Sequence, residues 1–171
     1  MNYASLIKDD TLNGPGFRVV LFLTGCSHKC PGCYNKSTWN PCNGYPFTEE
    51  TYNELLVALN QKHISGITIT GGDPLYKGNL KEVERLIHRL RDHFTKSNSK
   101  QTIWLWTGYT IEEIKQLGPF ATSILNNIDA FVDGKYEQGN PTMKPFRGSD
   151  NQKLWKKREG EFYEVLGQRL V

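Results

Sequence analysis

No apolar run in these 171 residues approaches the roughly eighteen needed to cross a bilayer as a helix, so the chain has no membrane span. Met1-Asn2-Tyr3-Ala4 lacks the basic and apolar stretches of a signal peptide. The expected compartment is therefore the reducing cytoplasm. Charge of one sign is also missing. The net charge is +3, and Lys and Arg are dispersed except in Lys153-Leu154-Trp155-Lys156-Lys157-Arg158, which argues against a nucleic-acid partner. There is no internal repeat, no low-complexity segment and no recognisable Ser–His–Asp arrangement or general base. What remains, a mixture of Val, Ile, Leu and aromatics, excludes a disordered class and is enough for the core of a single domain over residues 1–171.

Cysteine is scarce but concentrated. Of four cysteines, Cys26, Cys30 and Cys33 fall within Thr24-Gly25-Cys26-Ser27-His28-Lys29-Cys30-Pro31-Gly32-Cys33-Tyr34-Asn35, and Cys42 stands apart. In a reducing compartment such a cluster points to metal more than to a disulfide. Three thiolates on one loop can hold three irons of a cubane and leave the fourth iron without a protein ligand. On spacing alone two other readings stay open: a zinc knuckle completed by Cys42 or His28, and a thioredoxin-like pair of Cys30 and Cys33. His28 reads as a surface residue of the loop.

The loop follows Val19-Val20-Leu21-Phe22-Leu23, whose β-branched and apolar residues predict a buried strand. Further strands are expected at Gly66–Thr70, Ile103–Trp106 and Ala130–Val132. Between them, Thr48 caps one helix, Leu80 to Phe94 carry helical periodicity, and Thr110 with Glu113 forms a capping box for a shorter helix. Phe120 to Leu125 add a turn or two. Alternating strand and helix implies parallel pairing with crossovers, and about four or five parallel strands are too few to close an eight-stranded barrel. The expected fold is an α/β partial, open (βα) barrel with strand-end loops along one rim. From about residue 137 onward the chain reads as an irregular C-terminal segment.

Cys26-x3-Cys30-x2-Cys33 resembles the cluster motif of the radical S-adenosylmethionine (SAM) enzymes. Asn13-Gly14-Pro15-Gly16-Phe17-Arg18, Cys33-Tyr34-Asn35, Gly71-Gly72-Asp73-Pro74-Leu75, Trp106-Thr107-Gly108-Tyr109, Asp133-Gly134-Lys135-Tyr136 and Arg147-Gly148-Ser149-Asp150-Asn151-Gln152 narrow the likeness. Together they resemble the activating proteins of anaerobic ribonucleoside-triphosphate reductases, a radical SAM family of glycyl-radical-enzyme activases, from the first residues to about Trp155. One departure from the wider superfamily is shared with the activators: Gly32 stands where an aromatic commonly precedes the third cysteine, and Tyr34 follows it.

The resemblance implies a barrel of the radical SAM type and a [4Fe–4S] cluster held by Cys26, Cys30 and Cys33. SAM would chelate the open iron. It implies SAM contacts from the backbone of Gly32, Cys33 and Tyr34 to the adenine. Gly71, Gly72, Asp73 and Pro74 would bind the methionine amino group through carbonyls and an acidic side chain. Lys135 either meets the SAM carboxylate or is solvated. Arg18, near the cluster in that family, and Arg147 to Gln152 would help position a partner or the cofactor. The implied reaction is reductive cleavage of SAM, with an electron from a flavodoxin-type donor, to place a glycyl radical on the large subunit of the reductase. Alternatives are another small radical SAM enzyme, either a different glycyl-radical activase or a deazapurine synthase, and a zinc-binding interaction module.

Overall fold

A computed structural model describes residues 1–167. Its framework is an eight-stranded mixed sheet in the order β3-β1-β2-β4-β5-β6-β7-β8. The strands are β1 (Asn2–Asp10), β2 (Phe17–Leu23), β3 (Tyr45–Pro46), β4 (Ile64–Gly71), β5 (Thr102–Trp106), β6 (Ala130–Asp133), β7 (Lys153–Arg158) and β8 (Glu161–Glu164). The four central strands β2, β4, β5 and β6 run parallel. Antiparallel strands flank them on both sides, so the sheet is mixed and open. Among the described residues, no helix is long and apolar enough to cross a membrane.

The central strands are buried on both faces, which is why they read as near-continuous apolar runs. Their alternation still sorts the side chains. Val19, Leu21, Leu23, Ile67, Ile69, Ile103, Leu105 and Phe131 join the main core with residues from the helices. Those helices are α1 (Glu49–Leu59), α2 (Leu80–Lys96), α3 (Ile111–Gln116) and α4 (Pro119–Asn127). Trp104, Ala130 and Val132, at alternate positions of β5 and β6, form a second cluster with Leu154 of β7, as a period of two requires. The helix starts follow from their caps. Thr48 accepts a hydrogen bond from the Thr51 amide, and Thr110 with Glu113 closes a capping box.

Four strands fall outside the sequence expectation, each for a local reason. Strand β3 is two residues long and closes a stretch, 36–46, whose turn residues read as irregular. Strand β1 has register irregularities between Tyr3 and Ser5 and between Ile7 and Asp10, which break the period-two pattern that would reveal it. Strands β7 and β8 lie in the segment expected to be irregular. Their hairpin turns on Glu159 and Gly160 with φ of 52° and 87°, the mirror-image turn geometry that suits twisted strands. Glutamate is not the usual residue there, so the turn leaves little trace in the sequence. The last four residues of that expected segment lie outside those described.

Arg18 corrects a second expectation. It sits at the amino end of β2, on the order of 20 Å of extended strand from the cysteine loop at the other end. Its side chain is fully buried and spends its donors on Thr68 Oγ1 (2.8 Å), the Ile67 carbonyl (2.7 Å), the Thr102 carbonyl (2.9 Å) and Thr102 Oγ1 (3.1 Å). Burial lowers its pKa to about 10, with distant Asp129 opposing the shift. Arg18 therefore joins β2, β4 and β5 at the end of the sheet remote from the cysteines. Arg18→Met should leave those carbonyls unpaired and cost about 2–4 kcal/mol, read as a Tm lower by roughly 10 °C. Cluster content measured at low temperature should stay near wild type, and a selective loss of cluster at unchanged Tm would return Arg18 to the functional site.

Candidate functional site

The carboxyl ends of the parallel strands carry the loops, as open α/β sheets generally arrange their chemistry. The cysteine loop leaves β2 and is fastened at its start. Thr24 N–H donates to the Asn2 carbonyl (3.0 Å), Gly25 N–H to Thr38 (2.7 Å) and Cys26 N–H to Trp39 (3.1 Å). At its end, Cys33 N–H donates to the Cys30 carbonyl (3.1 Å), making a tight turn, before a short 3-10 turn at Lys36–Thr38. Cys26, Cys30 and Cys33 are all partly buried and line one cleft of about 190 Å³. Cys42 is exposed and is not among the cleft residues. Burial pushes the Cys26 thiol up, and Asp73 and Cys30 add to this while the backbone amides of His28 and Lys29 oppose it. Such a thiol ionises when a cation binds it.

The loop after β4 crosses directly against the cysteine loop. Gly72 N–H donates to the Leu23 carbonyl (2.8 Å) and Asp73 N–H to the Gly25 carbonyl (2.8 Å). A Cβ at Gly72 would lie 2.5 Å from the Gly25 oxygen and 2.9 Å from that of Thr38, so no side chain fits at this crossing. Gly71 and Gly72 line the cleft, as do Cys33 and Tyr34. Tyr34 is 84% exposed at the mouth, its ring 5.3 Å from that of Tyr136. Gly32 packs against Gln138 of the C-terminal segment.

Asp73 and Pro74 are buried and are not among the residues lining the cleft. Asp73 is 1% exposed, and its carboxylate is fully occupied. It accepts from His28 Nε2 (2.7 Å), Thr107 Oγ1 (2.9 and 3.1 Å), Gly108 N–H (2.9 Å) and Leu75 N–H (2.8 Å). The acidic side chain expected to face a ligand thus faces inward and ties three loops together. Lys135 is exposed and lines a neighbouring depression with Asp133 and Glu137, not the cysteine cleft. In the Arg147–Gln152 segment, Gly148 and Gln152 reach the cleft. Gln152 Nε2 donates to the Gly134 carbonyl (2.8 Å) and its Oε1 accepts from Gly148 N–H (2.7 Å). Arg147 instead donates to the Val165 and Pro145 carbonyls, and Asp150 pairs with Lys144 (2.9 Å).

Two structural side chains escape the sequence reading. His28 is buried to 6% side-chain exposure rather than lying on the surface. Asn79, just before α2, does not cap the helix with its side chain; its amide donates to the Thr24 carbonyl (2.8 Å) and the Asp73 carbonyl (3.3 Å). Neither residue belongs to a periodic apolar pattern, so only its contacts reveal the role. Among the described residues, no group of three His, Cys, Asp or Glu side chains is gathered closely enough for one metal ion. Cys26, Cys30 and Cys33 nonetheless line the same cleft, and three thiolates are what a cubane with one open iron takes.

Three thiols in a strand-end cleft of a partly parallel open sheet suit an iron–sulfur protein, and the family comparison shows that class: a model described as "4Fe-4S single cluster domain" matches residues 12–155. Among curated proteins, the chain is 50% identical over 160 residues to the anaerobic ribonucleoside-triphosphate reductase-activating protein of Enterobacteria phage T4, covering 94% of this chain and 97% of the relative. The proteins of the same name from Vibrio cholerae serotype O1 and Escherichia coli K12 are 41% and 40% identical over 156 residues, covering 89% of this chain and 96% of each relative. The chain belongs to the family of anaerobic ribonucleoside-triphosphate reductase-activating proteins.

Proposed function

We propose that this protein activates an anaerobic (class III) ribonucleotide reductase as a radical SAM enzyme, with the reductase large subunit as its substrate. Membership of the activating family and of the single-cluster iron–sulfur family carries the activation and the [4Fe–4S] cluster. The observation that carries the finer reading is the pairing of ligands in one cleft. Cys26, Cys30 and Cys33 line it while Cys42 stays outside. Cys26, Cys30 and Cys33 would hold a cubane there with one iron left open, which the amino and carboxylate groups of SAM would take. Gly71 and Gly72 offer backbone to the methionine end where their loop lies against the cysteine loop, and the backbone of Cys33 and Tyr34, with Gly32 just outside the lining, suits the adenine. Asp73 and Pro74 support the glycine pair from behind, and Lys135 lies outside the cleft lining, in the neighbouring depression.

When bound, the reduced cluster and SAM supply one-electron cleavage of the sulfonium and a carbon radical able to take hydrogen from a glycine. The chain's own task is placement and exclusion of water. The open sheet is read as the partial barrel of the radical SAM type, whose uncovered rim admits a loop of the partner. A flavodoxin-type protein in the cytoplasm is the proposed electron donor.

The test is anaerobic mixing of reconstituted protein, SAM, a reductant and the reductase large subunit, followed by electron paramagnetic resonance. The expected result is a doublet on the reductase that requires all four components. A doublet formed without SAM, or cluster-loaded protein that cleaves SAM and never marks the reductase, would remove this reading in favour of another small radical SAM enzyme.

A further inference from the structure

Between Cys26 and Cys30 the chain carries Ser27, His28 and Lys29. Among the described residues, no backbone hydrogen bond ties these three to another part of the chain. Lys29 takes a left-handed turn with φ of 49°, a conformation that a non-glycine residue holds only when its surroundings require it. Cys26 N–H keeps its bond to Trp39 and the Cys30 carbonyl its bond from Cys33, but the three residues between these cysteines are attached through side chains. Ser27 Oγ reaches Tyr109 Oη only at 3.5 Å. His28 makes the strong contact, donating from Nε2 to Asp73 Oδ2 at 2.7 Å with both side chains buried.

The surroundings of the imidazole are shaped for it. Its ring lies edge-on to Tyr109 with centroids 4.4 Å apart. A Cβ on Gly108 would come within 2.4 Å of the ring, so only glycine leaves the space. Asp73, the acceptor, is itself fixed by Thr107, Gly108 and Leu75. The imidazole thus anchors to a carboxylate already locked by the loops after β4 and β5.

We propose that His28 is a positioning residue for the cluster, fastening the Cys26–Cys30 arc to Asp73 so that these thiols stand where the cluster needs them. This rests on the assignment of Cys26, Cys30 and Cys33 as ligands. Groups that orient metal ligands without touching the metal typically contribute about 10–100-fold in metal affinity. The same anchor sets the course of the His28 and Lys29 amides beside the Cys26 sulfur, and donors to cluster sulfurs tune the reduction potential.

The experiment compares wild type, His28→Gln and His28→Asn, each reconstituted anaerobically. Iron retention against a chelator and the cluster midpoint potential are measured, with apoprotein melting as the control for folding. Gln places its amide donor near the position of Nε2, whereas Asn carries the same amide one methylene short of Asp73. The expected result is a potential and iron retention near wild type for His28→Gln. For His28→Asn we expect weaker retention, by about 10–100-fold in affinity, and a lower potential. Wild-type retention and potential in His28→Asn would overturn the proposal, and so would a His28→Gln no better than His28→Asn, since packing alone would then explain the residue. Failure of wild type itself to assemble a cluster would overturn the ligand assignment and this proposal together. A cluster-loaded wild type beside an unaltered His28→Asn overturns only this one.

Discussion

Alanine at Cys26, Cys30 or Cys33 should each remove the cluster and with it all glycyl-radical formation, while Cys42→Ala retains iron at the wild-type level. The three thiols share one cleft and Cys42 lies exposed outside it. A cubane left with two thiolates on this loop has two irons without protein ligands and is lost to solvent or chelator. Burial pushes the Cys26 thiol up, so binding a metal there releases a proton. Iron and sulfide per polypeptide, read beside the visible absorption of the anaerobic protein, check the expectation. Loss of metal in Cys42→Ala with retention in any of the other three would reassign the ligands and restore the zinc knuckle as a reading.

Asp73→Ala should damage the whole rim and not only ligand affinity. The carboxylate accepts from the side chains of His28 and Thr107 and from the amides of Gly108 and Leu75, in a site 1% exposed. Truncation strands these donors where water does not reach, and each buried unsatisfied group costs about 1–3 kcal/mol. The losses are coupled and do not simply add. A destabilisation on the order of 3–5 kcal/mol is a large part of the roughly 5–15 kcal/mol that holds a domain folded. Apoprotein Tm should fall by roughly 10 °C or more, and iron content should fall together with SAM binding. Asp73→Asn, which keeps acceptor and shape but loses charge, should lie between. A variant with wild-type Tm and full iron that loses only SAM affinity would show the carboxylate meeting the ligand directly.

That expectation differs from the one drawn from the Gly71-Gly72-Asp73-Pro74 pattern alone, and the difference is instructive. A glycine pair followed by an acid at a strand end signals a loop that approaches something closely. It does not say which atoms turn toward the ligand and which turn inward. Here the glycines line the cleft, and the acid closes the joint behind them. The same limit applies to Arg147 and Asp150, whose polarity excluded them from the core without showing that they pair with Val165, Pro145 and Lys144.

By itself the sequence determined the four parallel strands, the helix starts at Thr48 and Thr110, and the loop holding three cysteines at strand-end position. These are local properties: apolar runs, capping side chains and short spacings are written into neighbouring residues. Only the tertiary structure decided that β1, the two-residue β3 and the β7–β8 hairpin extend the sheet, because bulges, brevity and an atypical turn residue erase their local signals. It alone carried Arg18 to the end of the sheet remote from the cysteines, and it alone brought His28, Asp73 and Thr107 together from three loops. Such contacts join residues dozens of positions apart, and a buried hydrogen bond between polar side chains leaves no periodicity for a sequence to display.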